Sequence, residues 1–325
     1  MEAKPPFMAN HNYVFALAAL LIGCSSANSD DSPKDGIDGS QLGDADGAGA
    51  SDVGEASAAT ATCSGKWTGG VKTVGGIPDL SEASGLAASK DHAGWGWVIR
   101  DSGRPASVYA IKANSNGVFT VNEHKVAGAP NKDWEDVVYG EENGKGILYV
   151  LDTGAKLVYK LAEPEPSGTA DATVLAKYSY SFPDSVSGTC GPTNNAESMF
   201  LFPPVTGKLH IVRKKSNPAQ VYVLESPSTS GTAALKKVGE LGNAGCISVA
   251  SITHDGLFMV TAAHESTRVR KGTGTLESLL SGPIVFESNV STGDSVEGGD
   301  FFPWGSCSIT LVAEGKNTFV FNPAP

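Results

Sequence analysis

Five short apolar segments recur along this chain at intervals of about fifty residues, and this repeat constrains the fold more than any other feature. After a turn, each segment is followed by a second apolar strand that ends in polar residues. The opening segments are EASGLAAS from Glu82, WEDVVYG from Trp134, AESMFLF from Ala196, SVASITHDG from Ser248 and VEGGDFF from Val296. Short strands at regular spacing, separated by turn signals, predict a radial or stacked β architecture.

Third strands follow in several repeats and a fourth in two, which is the content of a four-stranded propeller blade. The last repeat, 296–325, has only three strands, and TGGVKTVGG at 68–76 can supply the missing outer strand. We therefore predict an all-β protein, a five-bladed β-propeller closed by an N-terminal strand that joins the last blade. Six blades are the alternative if the sparse stretch 257–290 holds another, and a β-sandwich is the alternative outside this class.

Composition agrees with a turn-rich β protein, because the chain has 39 glycines and no long segment with helical apolar spacing. The net charge of −11 argues against nucleic acid or an anionic membrane surface as a partner. Much of the acidity lies in residues 1–63, which hold nine acidic residues against two lysines. The segment 25–62 has almost no large apolar residue, so we expect an acidic, disordered linker.

The stretch NYVFALAALLIGC, ending at Cys24, is uncharged and too short to span a bilayer as a stable helix. Its last four residues, LIGC, resemble the lipobox of bacterial lipoproteins, in which the cysteine is diacylated and becomes the new N-terminus. The segment before it departs from that pattern, since Lys4 is opposed by Glu2. An ordinary secretory signal is the alternative.

These features divide the chain into a lipoprotein signal peptide at 1–23, a lipidated Cys24 with linker at 24–63, and a propeller domain at 64–325. The resemblance implies an exported protein anchored to the bacterial cell envelope through its lipid alone. Ser25 after the cysteine favours the outer membrane. We expect a monomer.

Four cysteines follow Cys24, an even number that suits an oxidising compartment. Three connectivities are possible. A Cys63–Cys307 bond would crosslink the closing strand to the last blade, and Cys190–Cys246 would then link neighbouring blades. None of the four has the spacing of a zinc site.

In a propeller, the inner strand of each blade begins on the face where the antiparallel second strand ends, and we call this face the channel mouth. A glutamate recurs at the inner-strand starts of four repeats, and four converging carboxylates repel unless they are protonated or bind a cation. Oxygen ligands favour Ca²⁺, or Mg²⁺ with retained waters. The candidate metal ligands are Glu82, Glu135, Glu197 and Glu297. The candidate ligand-binding residues at the second-strand ends are Arg100, Asp101, Asp152, Lys214, His264 and Glu314.

A structural role is the competing interpretation, because inner-strand carboxylates can accept backbone N–H groups of an adjacent blade. No G-x-S-x-G elbow occurs, and the GxG stretches lack the strand–loop–helix setting that phosphate binding needs. Asp133 is expected to serve the turn before its strand. Catalysis is left open.

The segments DWED, LDTG followed by AEP, NAES and the final AEG resemble secreted bacterial β-propeller proteins related in pattern to the SdiA-regulated and esterase-like phytase families. The resemblance covers most of 77–325 and implies the propeller fold. Two family features are replaced at the mouth, by Ala155-Lys156 and by TAAHES in the fourth repeat, and the acidic pair before proline of true phytases is missing. Phytase activity is therefore not implied.

The leading hypothesis is a lipid-anchored propeller that binds a ligand at its acidic mouth together with a divalent cation. A calcium-dependent hydrolase of phosphoesters or lactones is the first alternative. A scaffold that binds a protein partner at the mouth is the second.

Overall fold

The computed structural model describes residues 63–68, 72–74, 77–78, 80–114, 118–185, 190, 195–214, 217–263, 266–290, 295–315 and 317–324. The signal peptide, Cys24, most of the linker and His264 lie outside these residues. Within the described part of the chain, no helix has the length and apolar character needed to span a membrane.

The described residues form 21 strands and one helix. The strands of the first half are β1 (Lys72–Val74), β2 (Ala83–Ala88), β3 (Gly96–Arg100), β4 (Ser107–Ala113), β5 (Phe119–Lys125), β6 (Trp134–Glu142), β7 (Lys145–Asp152), β8 (Leu157–Ala162), β9 (Val174–Ser181) and β10 (Ala196–Phe202). Those of the second half are β11 (Lys208–Arg213), β12 (Ala219–Leu224), β13 (Thr232–Ala234), β14 (Lys236–Leu241), β15 (Val249–Ile252), β16 (Phe258–Ala263), β17 (Ser266–Lys271), β18 (Ile284–Asn289), β19 (Val296–Phe301), β20 (Ile309–Ala313) and β21 (Thr318–Phe321). The helix α1 (Leu276–Ser281) lies between β17 and β18.

These strands form five small sheets, each of which is one blade. Blade 1 is β2-β3-β4-β5, blade 2 is β6-β7-β8-β9 with β13 added at its edge, blade 3 is β10-β11-β12-β14, blade 4 is β15-β16-β17-β18, and blade 5 is β19-β20-β21-β1. The inner strands contact one another in the order β2, β6, β10, β15, β19 and back to β2. The chain is therefore a five-bladed β-propeller, as the repeat predicts.

The stretch 257–290 completes blade 4 and holds no additional blade. It contains β16, β17 and β18, and its sparse middle part is the short helix α1. Thr275 caps this helix in a reciprocal capping box with Ser278. Because the six-residue helix inserts between two strands of one sheet, the six-blade alternative is wrong.

The hydrophobic core is divided into five clusters, one between each pair of neighbouring blades. Trp97 of blade 1 and Trp134 of blade 2 are both fully buried in one such cluster. Val98 and Val312 share the cluster between blades 1 and 5, which closes the ring. Each repeat thus buries its apolar faces against its neighbours, as expected for a unit that has no complete core of its own.

The ring closes as predicted, because β1 pairs antiparallel with β21 of the last blade. Cys63 forms a disulfide with Cys307, and the Trp67 indole Nε1–H donates to the Cys307 carbonyl at 2.8 Å. A second disulfide joins Cys190, just before blade 3, to Cys246, just before blade 4. Both predicted pairings are confirmed.

Candidate functional site: an acidic channel mouth

Three of the four predicted glutamates occupy the same structural position. The ladder between the first and second strands skips one residue at Glu135, at Glu197 and at Glu297. Each glutamate is therefore the extra residue of a β-bulge, a feature that redirects a side chain out of the regular alternation. This common geometry points the repeat's acidic residues to one level of the channel.

The fourth glutamate, Glu82, does not share this register. The backbone N–H of Asp101 donates to the Glu82 carbonyl at 2.9 Å, and the equivalent bond in blade 2 runs from Thr153 to Asp133. Glu82 thus corresponds to Asp133, and the residue that the ladder skips in blade 1 is Gly85, which has no side chain. The prediction that four glutamates share one register is therefore wrong for Glu82. Similarity of the EASG segment to the other openings placed Glu82 level with Glu135, whereas strand pairing places it two residues away from that position.

Seven acidic residues nevertheless gather at the mouth, and we call them the mouth carboxylates: Glu82, Asp101, Asp133, Glu135, Glu197, Glu297 and Glu314. Two sets of three have carboxylate oxygens within 4.8 Å of one another. One set is Asp101, Asp133 and Glu135, and the other is Glu82, Asp101 and Glu314. Asp101 belongs to both, so it lies at the centre of the acidic face.

Glu135 is the most constrained of these groups. Its side chain is 7% exposed, and no described residue forms a hydrogen bond or ion pair with its carboxylate. Burial, together with the charges of Glu197 and Asp101, raises the pKa of Glu135 to about 10. A carboxyl group in this position either keeps its proton at neutral pH or meets a cation.

Two other mouth carboxylates have raised pKa values for the same reason. Burial raises the pKa of Glu297 to about 7, against the opposing effect of the Lys214 ammonium. Burial also raises the pKa of Asp133, assisted by the charges of Asp101 and Asp152. The mouth therefore carries more carboxyl groups than its surroundings can stabilise as anions.

Lys214 and Lys156 partly balance this charge. Lys214 Nζ lies 3.0 Å from a carboxylate oxygen of Glu197, and Asn195 donates to the other oxygen. Glu197 is therefore paired, in contrast to Glu135. Its pKa is still raised, because burial outweighs the favourable contact with Lys214.

A pocket of about 250 Å³, which we call the mouth pocket, lies beside this ion pair. Its walls are Lys214, Ser248, Ser295, Glu297 and the Cys190–Cys246 disulfide. The volume is at the small end of the range for small-molecule sites. Hydroxyl groups, an ammonium and a carboxylate together suit a small polar ligand.

Two predicted ligand-binding residues, Arg100 and Asp152, form hydrogen bonds within the scaffold. The Arg100 guanidinium donates to the Ser81 carbonyl at 2.9 Å and to the Ser81 hydroxyl at 3.1 Å. Asp152 is fully buried and accepts the Ala155 amide at 2.8 Å, which closes the turn after β7. Asp101, Lys214 and Glu314 remain at the mouth, and His264 lies outside the described residues.

Below the mouth, a ring of polar contacts links the inner strands of all five blades. Asp136 Oδ2 accepts the Met199 amide at 2.7 Å, joining blade 2 to blade 3. Asp300 Oδ2 accepts the Ala88 amide at 2.7 Å, joining blade 5 to blade 1. The remaining links are Ser84 Oγ to the Glu135 carbonyl at 2.7 Å, the Ala250 amide to Ser198 Oγ at 2.7 Å, and Ser251 Oγ to Asp300 Oδ1.

The structural role considered for the glutamates therefore belongs to neighbouring aspartates and serines of the inner strands. Sequence reasoning missed this ring. Asp133 lies in the bend directly before β6, where it was expected, and it also belongs to the first carboxylate set. The available signal was the acidic residue directly beside Glu135 in DWED. Asp136 and Asp300 also line an axial cavity of about 50 Å³.

The fold and site together define a five-bladed β-propeller with a carboxylate-rich channel mouth. No protein-family model matches the chain, and no curated protein is significantly similar to it in sequence. Among solved structures, Raptor from Chaetomium thermophilum aligns with a TM-score of 0.45 and 6% identity, over 80% of this chain and 30% of that one. The present chain thus corresponds to less than a third of Raptor's length.

Proposed function

We propose that this protein is a lipid-anchored β-propeller of the bacterial cell envelope that binds a divalent cation and a small anionic ligand at its channel mouth. The observation that carries the proposal is Glu135, a buried carboxyl group that forms no hydrogen bond or ion pair with the described residues and whose oxygen lies within 4.8 Å of those of Asp101 and Asp133. Desolvated carboxylates at this spacing repel one another unless a positive charge lies between them.

The donor set favours calcium. All three side chains offer carboxylate oxygens, which are ligands of hard cations, and no cysteine or histidine belongs to either carboxylate set. Bulges and turns carry these residues, and such backbone tolerates the variable coordination of Ca²⁺ better than the strict octahedron of Mg²⁺. Water and an anionic ligand would complete the coordination shell.

The mouth pocket supports the ligand part of the proposal. Lys214 lines it and contacts Glu197, so an anionic ligand that reaches Lys214 lies beside the mouth carboxylates. A phosphate or carboxylate group there could contact both the ammonium and the cation. The ligand class is therefore a small anion that binds more tightly with the metal than without it.

The experiment measures thermal unfolding of the purified chain against CaCl₂, MgCl₂ and ZnCl₂. A ligand at about a hundred times its Kd stabilises the folded state by about 2.7 kcal/mol, which for a domain of this size is roughly 5–10 °C. Glu135→Gln combined with Glu197→Gln should abolish the calcium response, while Glu277→Gln on the exposed helix α1 should keep it. An unchanged melting temperature of the wild type in Ca²⁺ would refute the metal site.

The same preparation separates binding from the two alternatives of the sequence. Phosphoester and lactone hydrolysis is assayed with and without Ca²⁺, and turnover that is lost in Glu135→Gln would convert the binding site into a catalytic one. Calcium binding without turnover supports the proposal as stated. If neither calcium binding nor turnover is observed, only the hypothesis of a protein-binding scaffold is left.

Anchoring is tested independently of the mouth. The N-terminal lipobox resemblance supports lipidation at Cys24, and the two disulfides of the propeller suit an exported protein. Labelled palmitate should be incorporated into the wild type but not into Cys24→Ser. A wild-type protein that stays unlabelled and unanchored would refute the lipoprotein assignment while leaving the cation site untouched.

A further inference from the structure

A second pocket lies between blades 3 and 4 and shares no residue with the channel mouth. This side pocket has a volume of about 610 Å³. Glu240, Gly242 and Asn243, at the end of β14 and in the turn after it, form one wall, and residues 280–284, from the end of α1 to the start of β18, form another. Arg270 of β17 completes the lining.

Arg270 is buried without a counter-charge among the residues that the structure describes. It is 3% exposed, its Nη2 donates to the Gly242 carbonyl, and its Nη1 has no hydrogen-bond partner among the described residues. No carboxylate of the described chain lies within ion-pair distance of it. Because a guanidinium cannot deprotonate in a protein, the burial of this charge calls for an anion.

The neighbouring arginine, Arg268, has the kind of acidic partner that Arg270 lacks among the described residues. Arg268, two residues earlier on β17, pairs with Glu287 at 2.7 Å and also donates to the Asn243 carbonyl at 2.6 Å. Glu240 on the pocket wall is paired with Lys237 at 2.5 Å. Arg268 thus pairs with an acidic residue of the protein, whereas Arg270 lines the side pocket.

The rest of the lining indicates what kind of anion fits. Pro218, Leu280, Pro283 and Ile284 supply apolar walls. A guanidinium fork matches the two oxygens of a carboxylate, and apolar walls match an aliphatic or aromatic body. We propose that the side pocket binds an amphipathic monocarboxylate, whose carboxylate pairs with Arg270 and whose apolar part packs on the proline and leucine side chains.

Titration calorimetry of the purified chain with octanoate tests this, and 1-octanol serves as the uncharged probe. Octanoate should bind and octanol should bind at least about tenfold more weakly, since the charge-assisted pair contributes only for the acid. Arg270→Met should reduce octanoate affinity about ten- to a hundredfold. Equal affinity for the two probes, or undiminished octanoate binding by the folded variant, would overturn the proposal.

Two further variants keep the test decisive. Arg268→Met removes a nearby cation that does not line the pocket, and its octanoate affinity should stay within about threefold of the wild type. Gly242 lines the pocket and a Cβ there would meet nothing within 4 Å, so Gly242→Phe adds a bulky ring at the pocket wall without replacing Arg270. This variant should lose octanoate binding while its calcium response at the mouth is retained. Octanoate binding by Gly242→Phe at wild-type strength would place the ligand elsewhere.

Discussion

The Asp136 carboxylate of blade 2 accepts the Met199 amide of blade 3 at 2.7 Å, while its other oxygen accepts the Val137 amide at 2.8 Å. This buried side chain thus accepts a backbone N–H beside the β-bulge of its own strand and also binds the neighbouring blade. Burial raises the pKa of Asp136 well above its usual value, and the amide donors oppose that rise. The contact holds only if the carboxyl group remains an acceptor.

We expect Asp136→Asn to destabilise the propeller by about 2–3 kcal/mol, because the new NH₂ group meets an amide donor and leaves a buried hydrogen bond unmade. Urea unfolding at neutral pH measures the loss. The exposed Asp171, changed to Asn, is the matched control and should shift stability by less than about 0.5 kcal/mol. Equal stability of the two variants would contradict a structural role for the polar ring.

The pH dependence of stability follows from the mouth carboxylates. The pKa of Glu135 is about 10 and that of Glu297 about 7 in the folded chain, above the usual value of 4.5 for a glutamate. Between pH 4.5 and these raised pKa values, the folded state retains protons that the unfolded chain releases. Their stabilising contribution is complete below pH 4.5 and is lost as pH rises through 7 and towards 10.

We therefore expect the cation-free protein to lose stability steadily from pH 5 to pH 9, and Glu135→Gln to flatten this decline because glutamine does not ionise. The urea midpoint across pH, in a chelating buffer, is the measurement. Saturating Ca²⁺ should also remove the decline, since the metal takes the place of the protons, and calcium affinity should rise with pH. A wild-type profile that is flat, or that rises with pH, would show that these groups ionise freely.

The close approach of the inner strands gives a third prediction. A Cβ at Gly298 of blade 5 would lie 2.6 Å from the Gly85 nitrogen of blade 1, and one at Gly85 would lie 2.6 Å from the Val137 nitrogen of blade 2. Only glycine leaves room for backbone contact between blades at these positions. Gly298→Ala should therefore cost about 1–3 kcal/mol through overpacking, measured by urea unfolding. Gly231→Ala, where a Cβ meets nothing within 4 Å, should change stability little, and an equal cost at both sites would argue against this packing.

The fold could be predicted from the sequence because the strands within each repeat pair with one another. Turn spacing and apolar runs define the strands of one blade locally, and the three-stranded last repeat indicated the closure by β1. The cysteine pairing followed from that closure, since Cys63 precedes the strand that must join the blade of Cys307. These inferences needed only contacts that the repeat itself implies.

The site was less accessible, because it depends on registers between strands. Glu82 looks equivalent to Glu135 in letters, yet the skipped residue of blade 1 falls between Ser84 and Leu86. The polar ring depends on which inner-strand side chain meets the next blade, and neither alternation nor spacing specifies that. Arg270 lies near the end of an ordinary strand, and it differs from Arg268 in having no acidic partner within the described part of the chain.

The two disulfides close loops of very different length, with sequence separations of 244 residues for Cys63–Cys307 and 56 for Cys190–Cys246. In the chain-entropy model, these separations correspond to about 5.5 and about 4 kcal/mol of stabilisation through the unfolded state. Loss of the longer crosslink also frees the segment of Trp67, whose indole donates to Cys307.

Replacing both cysteines of a pair by serine avoids a free thiol. We expect the Cys63/Cys307 double variant to be at least about 1 kcal/mol less stable than the Cys190/Cys246 double variant in urea unfolding without reductant. The reverse order would mean that closure of the ring depends on the pairing of β1 with β21 and not on its covalent crosslink.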